Sequence, residues 1–280
     1  MHVYREFSSS VAMNECSIYD SRQVHSFERN VAELRAGGVL EPPMESDEQY
    51  QVSFNRRLSS VVDRGVRRIA VDISSASRSR IASVVQSCAE MNVEMTIDFL
   101  YAPAAFVQPV SAHKALSVGG PVSTWFTGRE SRWFQPASAI LGLGYEGLEA
   151  LGAFQLLEAG QVWSFLPVGT DPRYEDAVAE LNGNLLEVVP SSHILHYSIA
   201  HPTLLVETLL ALAGGALEST NPVFVPLGPK VFALSCMLAS QLLDRRVGVW
   251  RFSSLQRGTP VDVSASGEVF GVRVQLSPVP

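Results

Sequence analysis

What most limits the folds open to this chain is an alternation of short apolar runs with helix-periodic segments. It begins near residue 67 and, after one interruption, continues to residue 276. Apolar runs bounded by turn signals read as buried strands, and apolar residues at three- and four-residue spacing read as helices with one buried side. The first unit is a strand over 67–73, a helix over 79–91 with Ile81, Val84, Val85 and Cys88 on one side, and a strand over 93–100. Their connection is short enough for a right-handed parallel crossover. A second series places strands at 139–142, 162–168, 194–199 and 223–226, and helices at 145–159, 174–185, 202–212 and 229–243. The 202–212 helix is closed by Gly214-Gly215, and segments 247–252 and 269–276 end the series as strands. The expectation is an α/β chain, Rossmann-like, with a mostly parallel sheet and helices on both faces.

Ahead of this series, residues 2–7 alternate as a short strand does, and 16–19 is a second strand candidate. Residues 21–35 have helical period with Ser21 as cap, 42–48 reads as a loop, and 52–62 as a helix. Residues 102–136 break the rhythm. They are rich in Gly, Ser and Pro and carry Trp125, Phe126, Trp133 and Phe134, which predicts a long inserted loop that either covers a site or meets a partner, or packs half-buried against its own domain. The 280 residues are read as a single Rossmann-like domain, with a soft boundary open within 102–136.

Charge and cysteine content narrow the setting. A formal net charge of −7 argues against non-specific duplex DNA binding, which needs clustered Lys and Arg. Cys16, Cys88 and Cys236 lack CxxC spacing and suit a reducing compartment better than a disulfide framework. The opening MHVYREFSSS has no signal-peptide pattern, and the longest apolar stretches, 204–217 and 231–243, fall short of a membrane span. A cytoplasmic protein without a membrane partner is expected.

Open parallel sheets bind ligands beyond the carboxyl ends of their strands. Three strand-to-helix junctions here carry phosphate-friendly residues. At the first, Asp72 can orient the elbow or accept from a ribose hydroxyl, Ser74, Ser75 and Ser77 can donate to an anion, and Arg78 can pair with it. Ordinary N-capping by Ser75 or Ser77 is the competing explanation. The second, Gly142-Leu143-Gly144-Tyr145-Glu146-Gly147, matches GxGxxG between a predicted strand and helix. An NAD-type dinucleotide site and a glycine turn needed only for packing both fit it. Against the first, Asp171 comes late for a ribose-binding acid, and Glu146 would place negative charge beside a pyrophosphate. At the third, Gly228 frees the backbone, Pro229 suits the first helical position, and Lys230 projects from the first turn. A lysine opposes the helix dipole there, a cost that a bound anion would offset. His193, His196 and His201 lack a Cys or carboxylate at ligand spacing and read as structural, so no metal is expected.

Asp72-Ile73-Ser74-Ser75-Ala76-Ser77-Arg78 resembles the D-x-[ST]-x-x-x-[RK] pattern of CARF domains, and Gly228-Pro229-Lys230 is similar to the small-residue-then-lysine turn of that superfamily. CARF domains are Rossmann-like sensors of cyclic oligonucleotides in prokaryotic antiviral defence. The resemblance implies a sensor or accessory subunit that holds a nucleotide through backbone amides, Ser74, Arg78 and Lys230.

The sequence thus leads to a protein that binds a nucleotide or another phosphorylated small molecule. Ser74, Ser75, Ser77, Arg78, Gly228 and Lys230 would form the cradle, and Asp72 would hold the elbow. Two alternatives stay open: an NAD(P)-dependent enzyme using Gly142, Gly144 and Gly147, and a non-catalytic scaffold acting as a homo-oligomer or with a co-encoded partner.

Overall fold

The computed structural model describes residues 1–19, 24–39, 44–109, 116–128, 134–254 and 262–278. The Ser21 cap, residues 42–43 of the first loop, and Trp133 lie outside the described residues. Helices α1 (His2–Phe7), α2 (Phe27–Ala36) and α3 (Asp47–Asp63) precede β1 (Arg68–Asp72), α4 (Arg78–Glu90) and β2 (Met95–Tyr101). Then come β3 (Leu116–Pro121), β4 (Ala137–Gly142), α5 (Gly147–Leu156), β5 (Gln161–Val168), α6 (Pro172–Leu181) and α7 (Gly183–Leu186). The chain ends with β6 (Ile194–Ser198), α8 (Pro202–Ala216), β7 (Asn221–Pro226), α9 (Lys230–Leu242), β8 (Gly248–Ser254) and β9 (Phe270–Leu276).

The chain divides into two compact units, residues 1–105 with 258–280, and residues 106–257. The strands accordingly form two sheets. In the first unit β1 and β2 pair in parallel around α4, and β9 returns antiparallel to β2. Met95, Ile97 and Phe99 are buried on one face of β2, while Thr96, Asp98 and Leu100 on the other are half-buried.

The second unit is the α/β fold that the alternation predicts. Its sheet has the order β3-β8-β7-β4-β5-β6, parallel throughout except for β3, which runs antiparallel to β8. Both faces are buried. Ala139 and Leu141 of β4 join Ala150 and Ala153 of α5 and Val178 of α6 in one core. On the opposite face Phe165 (β5), Tyr197 (β6) and Phe232 (α9) stack at centroid separations of 5.2 to 6.4 Å. Alternate residues of one strand serve opposite cores, which is why these strands read as unbroken apolar runs.

Several elements differ from the sequence expectation. Residues 2–7 are helical, because Val3 and Phe7 also satisfy i, i+4 spacing, and Arg5 pairs with Glu33 of α2 at 2.6 Å. Helix α3 starts at Asp47 rather than 52, since Ser46 and Gln49 form a reciprocal capping box. Helix α8 continues through Gly214-Gly215 to Ala216, carried by the apolar face that ends in fully buried Ala213. The long inserted loop is not confirmed: among the described residues of 102–136 are β3 and a 3₁₀ turn over Thr124–Phe126, with Phe126 fully buried. Gly119-Gly120 hid this strand from a propensity reading. A Cβ on Gly119 would lie 2.2 Å from the Phe252 ring, so the glycine is the seat for that side chain. Among the described residues no helix is long and apolar enough to cross a membrane.

Candidate functional site

The three predicted junctions fall in different units. The Asp72–Arg78 elbow belongs to the first, while the turns after β4 and β7 belong to the second, where they touch.

In the first unit the elbow is held by the chain's own groups. Asp72 Oδ1 accepts from the Ser74 N–H at 2.8 Å and from the Ser74 hydroxyl at 2.5 Å, and Ser74 Oγ accepts from the Ala102 N–H at 2.8 Å. Ser77 caps α4 by accepting from the Arg80 N–H at 3.1 Å, and donates to Asp47 Oδ2 at 2.8 Å. The Tyr19 hydroxyl accepts from the Ser77 N–H at 2.6 Å and donates to the Ser75 carbonyl at 3.3 Å. Arg78 is the first residue of α4. The carboxylate beside this helix start is therefore Asp47, an anion supplied by α3.

Next to it stands a cluster that composition and spacing did not single out. Arg80 is 3% exposed; its guanidinium donates to Asp47 Oδ1 (3.1 Å), Ser17 Oγ (2.9 Å) and the Glu45 carbonyl (2.7 Å). It lies 3.6 Å from the Tyr19 ring centroid and 4.6 Å from that of Tyr50. Glu45, itself buried, accepts from Ser17, Ser53 and Arg57. Burial raises the Tyr50 hydroxyl well above its usual range. The sequence signal was available in the helical i, i+3 relation of Ser77 to Arg80, yet the partners come from α3 and from the segments around Ser17 and Glu45, all remote in the chain.

In the second unit the connections leaving β4 and β7 diverge. From β4 the chain moves outward through β5 to β6, returns to β7 on the other side of β4, and moves outward again to β8. The carboxyl ends of β4 and β7 thus form a topological switch point, the usual ligand position in open α/β sheets. The Gly142 carbonyl accepts from the N–H groups of Leu227 (3.0 Å) and Gly228 (2.9 Å). A Cβ on Gly144 would stand 2.9 Å from Gly228 Cα and 2.6 Å from a Glu146 carboxylate oxygen. One on Gly142 would meet the Phe232 ring at 2.2 Å, and one on Gly147 the Leu181 carbonyl oxygen at 1.9 Å. Every glycine of the GxGxxG match is accounted for by close protein packing.

Asn182 fixes this arrangement. It is buried, and its side-chain amide donates to the carbonyls of Gly144 (2.8 Å) and Val178 (2.7 Å). Nothing in its local sequence marks that role, because both acceptors are set by the fold. Helix α9 begins at Lys230, one residue later than the sequence suggests, with Pro229 as N-cap instead of first helical residue and with no side-chain cap. Proline φ −52° and ψ 148° turn the chain sharply into the helix. A helix start carries positive partial charge, and Lys230 adds a full one.

Beyond β5, Asp171 caps α6 by accepting from the Arg173 N–H at 3.0 Å, and its carboxylate takes the Arg173 guanidinium at 2.6 Å. The hydrogen bond from Arg173 holds the Asp171 carboxyl below its usual range. The guanidinium also lies 4.7 Å from the Phe106 ring centroid. Tyr145, following Gly144, packs against Tyr174 at 4.9 Å; burial, then the Asp171 charge, raises its hydroxyl above the ordinary value. The histidines are spread out: His193 stacks on Trp163 at 3.8 Å, His196 meets Glu175 at 2.9 Å, and His201 bonds Ser198 at 3.1 Å.

No protein-family model matches the chain, and no curated protein matches it either.

Proposed function

We propose that the six-stranded unit binds a nucleotide or related phosphorylated ligand at the carboxyl edge of its sheet. Lys230 and the first-turn amides of α9 would meet the phosphate, above the paired turns at Gly142–Gly144 and Leu227–Gly228. The observation that carries this reading is an α9 N-terminus that has no side-chain cap, bears a lysine in its first turn, and stands at the switch point. Tyr145, on the turn after β4, and Tyr174, in the first turn of α6, supply aromatic surface for a base. The resemblance of Gly228-Pro229-Lys230 to the CARF superfamily favours a nucleotide over other phosphates. It adds a biological setting: a cytoplasmic sensor or accessory subunit in prokaryotic antiviral defence, acting as an oligomer or with a co-encoded partner.

The test is a melting-temperature panel of NAD, NADP, ATP, GTP and cyclic oligonucleotides. A ligand present at a hundred times its dissociation constant stabilises by about 2.7 kcal/mol. The reading expects a shift with at least one member, weakened in Lys230→Ala without loss of the fold. No shift with any member, or equal affinity in the variant, overturns it.

A further inference from the structure

A second feature, independent of the switch point, lies in the first unit. A cavity of ≈ 670 Å³ opens on the face of the three-stranded sheet that carries Asp98. Ala70, Leu100 and Gly271 contribute to its floor, and Phe7 and Val11 to its wall. That volume is within the range of small-molecule sites, roughly 300–1,000 Å³.

Asp98 stands between two arginines in the middle of this face. Its Oδ2 accepts from Arg68 Nε and pairs with Arg68 Nη2, both at 2.8 Å, and its Oδ1 accepts from Arg273 Nε at 2.6 Å. Ala70, Asp98 and Arg273 form one cross-strand row, and Arg68 reaches in from the next row of β1. One carboxylate thus gathers two guanidiniums and leaves the cluster with one net positive charge. Like charges brought together on a sheet repel, and Asp98 offsets only one of the two. The arginine side chains are 63% and 57% exposed, against 17% for Asp98, so their unused N–H edges face outward from a fixed anchor. A guanidinium has five donors in a rigid fork that matches an oxyanion, and Asp98 occupies only part of each.

We infer that this cavity receives a ring-bearing small molecule with a phosphate or carboxylate group, its oxyanion held by Arg68 and Arg273 and its ring set against Ala70, Leu100 and Val11. Asp98 is the positioning residue that holds the two forks side by side. The residual charge is matched by the ligand's anion, and the uncharged floor by its ring.

The experiment is calorimetric titration of the full chain with three probes: 5′-AMP, benzoate and inorganic phosphate. A ring-bearing probe binds more tightly than inorganic phosphate; tighter AMP assigns a phosphate ligand, tighter benzoate a carboxylate. Arg273→Gln, at an exposed position that spares the fold, weakens binding by about tenfold or more, the usual size of one charge-assisted hydrogen bond. Ala70→Phe fills the floor without touching a charge and removes the preference for the ring-bearing probe. The titrations are repeated in the Lys230→Ala protein, where binding at the site proposed beyond β7 is weakened, so that the effects of Arg273→Gln and Ala70→Phe measured in that background report this cavity alone. No binding of any probe at millimolar concentration overturns the inference. So does binding that Arg273→Gln and Ala70→Phe both leave unaltered.

Discussion

Gly228 lies directly against the backbone of Leu143: a Cβ built on it would stand 2.1 Å from the Leu143 carbonyl oxygen. The obstacle is main chain, so no rotamer relieves it. Gly228→Ala is expected to force the β4 and β7 turns apart and to cost about 1–3 kcal/mol, the range for overpacked sites. The measurement is the urea midpoint at unchanged slope. A variant as stable as the parent would mean that the two turns separate freely and that the glycine serves a ligand instead.

Arg80 carries a different kind of constraint. Its charge is buried among Asp47, Ser17 and the Glu45 carbonyl and stacked between Tyr19 and Tyr50. Asp47 is 29% exposed and keeps water and Ser77, but Arg80→Ala removes the charged donor to Asp47, Ser17 and the Glu45 carbonyl and is expected to lose about 1.5–3 kcal/mol by denaturant unfolding. Arg80→Lys should rescue little, because an ammonium neither forks to several acceptors nor stacks flat between two rings.

These two residues show what can be read from the chain and what cannot. The parallel sheet of the second unit was legible because its central strands β4, β5 and β7 are buried on both faces, giving the apolar runs at 139–142, 162–168 and 223–226. The Gly142–Gly147 turn was legible as a turn. Its contact with Gly228 was not, since that depends on β7 returning beside β4 from some eighty residues later. The division into two sheets was hidden for a similar reason: β9 pairs with β2 across most of the chain length. The Asp72 elbow was legible as polar, with an anion cradle and N-capping by Ser75 or Ser77 both open, and Ser77 is the cap. That its cap Ser77 donates to Asp47 was out of reach, because Asp47 lies in a helix whose start depends on the Ser46–Gln49 box. The burial of Arg80 was not legible either, since it depends on Tyr19 and Tyr50, which lie far from it in the chain.

Asp98 predicts a pH dependence. Burial pushes its carboxyl up, but the hydrogen bonds from Arg273 and Arg68 outweigh burial, and the net displacement is downward from the ordinary 3.8. A carboxylate depressed in the folded state contributes in full above its unfolded value and loses that contribution as pH falls through its folded one. Asp98→Asn is therefore expected to be less stable than the parent at neutral pH, with the gap closing as the solution is acidified below 3.8. Thermal melts of both proteins across the acid range check this. A gap that is constant with pH would mean that the asparagine disturbs packing instead of removing a charge.

The cysteines predict a reactivity pattern. Cys88 is 2% exposed on α4 and burial pushes its thiol up to about 12, so at neutral pH almost none is present as the nucleophilic thiolate. Cys236 on α9 is fully buried, while Cys16 is half-buried near the surface of the first unit. A thiol-specific aromatic disulfide should label Cys16 promptly in the native protein and all three cysteines after denaturation. Labelling of Cys88 and Cys236 in the folded protein then requires opening of α4 in one unit and α9 in the other. Because the two helices belong to separate units, the slow phases report their opening independently. Equal slow rates for Cys88 and Cys236 would show that the units open together as one cooperative structure. A faster Cys88 would show that the three-stranded unit opens by itself.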